Sequence, residues 1–179
     1  MRIGIDISQL AYPNTGVANF VKNLVENLIT KDTIHEYVLF YSSLRKEFDP
    51  AIFDLSQKSV NPHVVIKTFH LPPVLLDFLW NRLHILSIEK LIGPVDVFLS
   101  SDWTQPPSNA KKVTILYDLI IYKYPQETAK KIVAVQKRKL AWVKKEVDSI
   151  ICISEATKKD AIDILHISPE KLHVVYPGF

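Results

Sequence analysis

The 179 residues carry 22 basic and 19 acidic side chains, a formal charge of +3, and 47% of them are hydrophobic. That length and apolar content fit one ordinary domain with a full core, exclude disorder as the dominant state, and leave a basic excess too slight to indicate nucleic acid. With a single cysteine no internal disulfide exists. Cys152 sits in the apolar run Ile150–Ile153 and reads as a buried small hydrophobe, consistent with a reducing compartment. No apolar run approaches the roughly 18 residues of a membrane span. The start, Met1–Ile7, is too short and too quickly charged for a secretory signal, so the cytoplasm is the expected location.

Arg2–Ile7, with Ile at positions 3, 5 and 7, predicts an opening strand. Turn formers fill 8–16, and from Val17 the apolar stripe Phe20, Val21, Leu24, Val25, Leu28 predicts a helix. Glu36–Ser42 reads as a strand covered on both faces, and His63–His70 as another after Asn61-Pro62. Pro72-Pro73 opens a predicted helix over 75–91 that stops at Gly93-Pro94. Val95–Leu99 is the next strand, the polar loop Ser100–Asn109 follows, and Lys112–Tyr117 restores the strand pattern. A loop with Tyr122, Tyr124 and Pro125 leads to a long helix over 126–146. From Ser149 the chain reads strand, turn, helix, turn, strand and Pro177-Gly178, a βαβ unit that leads onward. Strands alternating with helices predict an α/β fold, a doubly wound, mainly parallel Rossmann-like sheet with helices on both faces, in a single domain over 1–179. Ligands of such sheets bind at the carboxyl ends of the strands, which selects loops 8–16, 70–73, 100–109 and 117–125, with the turn at 154–157 beside them.

Four motifs in order then carry a resemblance: Gly4-Ile-Asp6, Thr15-Gly-Val-Ala-Asn-Phe-Val21, Tyr117-Asp-Leu119, and Ser154-Glu-Ala-Thr-Lys-Lys-Asp160 ahead of Ser168–Gly178. Together they resemble the amino-terminal, acceptor-side domain of a group 1, family 4 glycosyltransferase, over nearly the whole chain. The resemblance implies the GT-B architecture of two Rossmann-like domains facing a cleft, and retention of anomeric configuration. It implies a nucleotide-sugar donor and a glycan or glycolipid acceptor, with hexosyl, including mannosyl, transfer. No cofactor and no metal are implied. Pro177-Gly178 then marks the crossing to a carboxyl-terminal donor-binding domain that this chain lacks, so the fragment alone is expected to be inactive. Tyr117 stands where family members often carry histidine. A phenol titrating near pH 10 donates a hydrogen bond but is no near-neutral base.

Each candidate residue has a structural reading beside the functional one. Gly16 precedes the free amides of a helix start, which favour a donor phosphate, or it permits a tight turn; Asn19 shares the first argument. Asp118 and Tyr117, at a strand end, are the candidate catalytic pair, or a turn carboxylate and a core phenol. Ser154 and Glu155 open a helix, where Ser is a favoured cap, and with Lys158 they also lie on the expected cleft rim. Asp102 and Trp103 form a candidate acceptor platform, or Trp103 packs beneath its own loop. The histidines lack metal-ligand spacing, and no metal site is expected. Seven basic residues between Lys130 and Lys145, Lys139 among them, read first as the solvated face of a core-packed helix. A peripheral contact at the inner face of the membrane is the alternative. The competing function is a stand-alone Rossmann-like binding module without transferase activity. A dinucleotide-dependent oxidoreductase is disfavoured because the first turn lacks the three-glycine fingerprint.

Overall fold

The computed structural model describes residues 1–53 and 61–177, so Gly178 of the Pro-Gly pair lies outside the described residues. Among the described residues, seven strands form one fully parallel sheet in the order β3-β2-β1-β4-β5-β6-β7. They are β1 (Arg2–Asp6), β2 (Glu36–Ser42), β3 (Val64–Phe69), β4 (Val97–Ser100), β5 (Lys111–Leu116), β6 (Ser149–Cys152) and β7 (Leu172–Val174). The chain winds outward from β1 to β3, then returns to β1's other side with β4. That reversal is the topological switch point of a doubly wound sheet.

Alternation along β2 divides the core. Leu39 packs on one face with Ile5, Val25 and Leu99, whereas its neighbours Val38 and Phe40 pack on the other with Trp80, Ile88 and Phe98. Successive side chains of a strand face opposite ways, so a strand buried on both sides must be apolar at every position. The first face is covered by α1 (Gly16–Lys31), whose Val21, Val25 and Ile29 recur at four-residue spacing and are buried. Burying each such side chain contributes about 1.5–3 kcal/mol. Gly4 of β1 is fixed by close approach, because a Cβ there would lie 2.8 Å from Phe98 and 2.9 Å from Ile92. A third cluster gathers Leu140, Val143, Ile150, Cys152 and Leu165 where α5 (Lys130–Glu146) and α6 (Glu155–Leu165) cover the later strands. Burial pushes the Cys152 thiol up to about 11, as suits a small core hydrophobe.

Two helices differ from expectation. The single helix over 75–91 is instead α2 (Pro73–Leu76), a π-helical turn (Asp77–Arg82), and α3 (Glu89–Ile92), separated by a bend with His84 at φ 52° and Leu86 at φ 64°. The bend lets Trp80 and Ile88 both reach full burial, and Trp80 Nε1 donates to Leu86 O at 2.9 Å across it. The His84 ring stacks on Trp142 of α5 with centroids 3.6 Å apart. Tertiary packing here overrides a helical period that the local sequence supports. The helix predicted from 126 begins at Lys130, because Pro125–Glu127 form a 3-10 turn after the short α4 (Ile120–Lys123). Among the described residues no helix is long and apolar enough to cross a membrane.

Candidate functional site

At the switch point the loops after β1 and β4 diverge toward opposite faces. They leave a cleft of about 780 Å³. Its walls come from Gln9, Tyr12 and Thr15 after β1, Val17 of α1, Pro73, Val74 and Asp77, Asp102–Thr104 after β4, and Ile132, Val135 and Arg138 of α5. The β4 loop is tied down on both sides. Asn81 donates from Nδ2 to Trp103 O at 2.9 Å, and its Oδ1 accepts from Gln105 N at 3.0 Å. Gln136 of α5 donates to Asp102 O at 3.1 Å and to Asp102 Oδ2 at 3.3 Å. Asp77 receives Arg138 through Nη2 at 2.6 Å and Nε at 3.3 Å, with Arg82 Nε at 3.6 Å.

Beneath the cleft lies a buried charge cluster. Lys139 is 1% exposed and interacts electrostatically with Asp6, itself 3% exposed, and with Asp102. Burial raises the Asp6 carboxyl above its ordinary range, while hydrogen bonds from Ser8, another from Ser101 and the Lys139 charge pull it back. Burial likewise raises the carboxyl of Asp102, opposed by Lys139 and reinforced by the charge of Asp118. Lys139 is pushed down by its own burial, and the two carboxylates act the other way. The carboxyls of Asp6 and Asp102 therefore lie within electrostatic reach of one buried ammonium, an arrangement in which removing the cation leaves buried negative charge uncompensated. This corrects the reading of all seven basic residues of α5 as a solvated face. Lys130, Lys131, Lys137, Lys144 and Lys145 are exposed, but Lys139 lies one turn before Val143 on the buried stripe.

The predicted residues fall into three groups. Asp102 and Trp103 stand together in the cleft wall. Tyr117 and Asp118 adjoin them through the electrostatic coupling of each to Asp102. The Tyr117 phenol is pushed up by burial and then by Asp102, and its ring meets Phe20 edge-on at 5.5 Å. Asp118 is exposed, and its Oδ1 accepts from Ile120 N at 3.0 Å, closing a turn just before α4. At the start of α1, Thr15 Oγ1 takes the Ala18 amide and Thr15 O takes that of Asn19, which leaves the Gly16 and Val17 amides as first-turn donors. Gly16 itself is not required by the turn. Asn14 takes the left-handed conformation at φ 69°, and a Cβ on Gly16 would meet nothing within 4 Å. Asn19 is exposed one turn on.

The third group is more distant from the cleft wall. Ser154 caps α6 by accepting from Thr157 N at 3.1 Å, and Thr157 Oγ1 donates to Tyr117 O at 3.0 Å, so this turn braces the end of β5. Glu155 is exposed and Lys158 half-buried. Sequence reasoning missed Gln9, Asp77, Arg138 and the Asp6–Lys139 pair. Spacing from Val143 was the available signal for Lys139. Gln9 is 4% exposed, lines the cleft, and its Oε1 has no hydrogen-bond partner among the described residues. Nothing in its local sequence marks it. Among the described residues no group of three or more His, Cys, Asp or Glu side chains is placed to hold a metal ion.

The sequence model of the family described as Glycosyltransferase Family 4 matches residues 14–179, a span that takes in α1, the cleft-forming loop after β4 and the Tyr117–Asp118 strand end. No curated protein matches the chain. With that match across most of its length, the chain belongs to glycosyltransferase family 4.

Proposed function

We propose that this chain forms the acceptor side of a retaining, sugar-nucleotide-dependent glycosyltransferase of the GT-B architecture, working with a donor-binding domain across its cleft. The observation that carries the reading is the switch-point cleft itself, with Asp102 and Trp103 in one wall and the open first turn of α1 beside it. Parallel sheets of this winding take ligands at such a crevice, and unpaired amides with the helix dipole favour phosphate. In the reaction the bond from the sugar's anomeric carbon to the donor's terminal phosphate oxygen breaks. A bond from the same carbon to an acceptor hydroxyl oxygen forms, and the hydroxyl proton leaves with the nucleoside diphosphate.

In this reading the Gly16 and Val17 amides approach the donor phosphates, with Asn19, Ser154, Glu155 and Lys158 at the rim. Asp118 and Tyr117 adjoin the reacting hydroxyl. Tyr117, its phenol raised well above its usual range, donates a hydrogen bond rather than accepting a proton. Transfer of a hexose such as mannose to a glycan or glycolipid, without a metal and in the cytoplasm or at the inner membrane face, belongs to the same proposal. The test is nucleoside diphosphate release by protein that contains both this chain and the donor domain, screened with nucleotide-hexoses. Donor-dependent release is expected with at least one of them. Failure to bind or turn over any donor overturns the reading.

A further inference from the structure

The cleft combines features that a water-soluble glycan would not need. One wall is apolar, from Val17, Val74, Trp103, Ile132 and Val135. It continues onto an exposed apolar strip, with Val74 64%, Leu75 37% and Phe78 46% exposed. Three cations line the same cleft, Arg82, Lys131 and Arg138, against two carboxylates, Asp77 and Asp102. Asp77 is engaged by Arg138 and Arg82, and Asp102 interacts with the buried Lys139, so the lining cations outnumber the carboxylates free to meet them. Among the described residues Lys131 has no carboxylate partner.

We propose that the acceptor is an anionic amphiphile, an apolar chain carrying a phosphate-linked saccharide. Its chain lies along Val74, Ile132 and Val135, and its phosphate is neutralised by Arg82 and Lys131. Chain and phosphate each answer one feature of the cleft. An unpaired apolar wall gains by covering with hydrocarbon, and surplus guanidinium and ammonium groups select phosphate over a neutral headgroup. The inference deepens the proposed transferase reading and names the class of its acceptor.

The experiment measures binding to the purified chain by fluorescence of its tryptophans, with equilibrium dialysis as a second readout. The probes are farnesyl phosphate, farnesol and inorganic phosphate, each below its micelle-forming concentration. Saturable binding of farnesyl phosphate is expected, about tenfold tighter than farnesol, with inorganic phosphate weaker than both. Arg82→Ala with Lys131→Ala, at two largely exposed side chains, should abolish the preference for phosphate while farnesol binding persists. Ile132→Asp should weaken both lipid probes. Absent saturable binding, equal affinity for phosphate and alcohol, or an unchanged preference in the double variant each overturns the proposal. So does a concentration-dependent dimer that farnesyl phosphate does not compete with, since a second copy then owns the apolar strip. Turnover of a water-soluble glycan with no farnesyl phosphate binding would sink this inference and leave the transferase reading intact. Binding with no donor turnover would do the reverse.

Discussion

Lys139 is the residue at which burial and charge conflict most sharply. Its ammonium loses water on folding, and what offsets that cost is attraction to Asp6 and Asp102 in a medium where charges are weakly screened. Lys139→Met keeps the bulk of the side chain but strands two carboxylates, whose folded pKa values then rise further. A carboxyl with a raised folded pKa destabilises the fold once pH exceeds the ordinary carboxylate range, and the penalty fades as pH falls through the raised value. The variant should therefore lose about 3–5 kcal/mol at neutral pH and markedly less near pH 5, each measured by urea unfolding against the parent at the same pH. Adding Asp6→Asn should restore part of the loss at neutral pH. An equal loss at both pH values would mean that packing, not charge, fixes Lys139.

Among the elements, the strands and α1 were readable because one local period decided them. Alternation and continuous apolar runs marked the strands, and four-residue spacing marked the face of α1 that carries Val21, Val25 and Ile29. The segment over 75–91 was not readable, since its bend depends on partners far away: His84 stacks on Trp142, and Asp77 holds Arg138, 61 residues on. The site divides along the same line. Asp102 and Trp103 follow from their place after a strand, whereas Gln9 and Lys139 acquire meaning only when β1, β4 and α5 are brought together. Asp77→Ala tests how much of the bend this latch holds. It frees Arg138 and removes the 3.0 Å bond from Asn81 Nδ2 to Asp77 Oδ1, with an expected cost of about 2 kcal/mol. Amides over 78–86 should exchange faster with solvent, while those of β1 and β4 keep their protection. Unchanged exchange over 78–86 would assign the bend to Trp80 and Ile88 burial alone.

Across the whole molecule, the sheet is thick at its centre and thin at its edges. All but the first residue of β2 are buried, but none of β3 is, and only Leu172 of the three-residue β7 is buried. Edge strands of this kind open locally at a fraction of the global free energy, whereas strands covered on both faces exchange only when the domain unfolds. The cleft is hung on the covered part: β1 and β4 are adjacent at the centre, and Asp6, Ser101 and Lys139 join their ends. The geometry of its walls should thus be held by the most stable portion of the fold, with mobility confined to the rims. Native-state hydrogen exchange checks this directly. Amides of β1, β2, β4 and β5 should share one high free energy of exchange equal to that from urea unfolding, while β3 and β7 exchange at lower values. If β7 is as protected as β1, an additional surface must cover that edge.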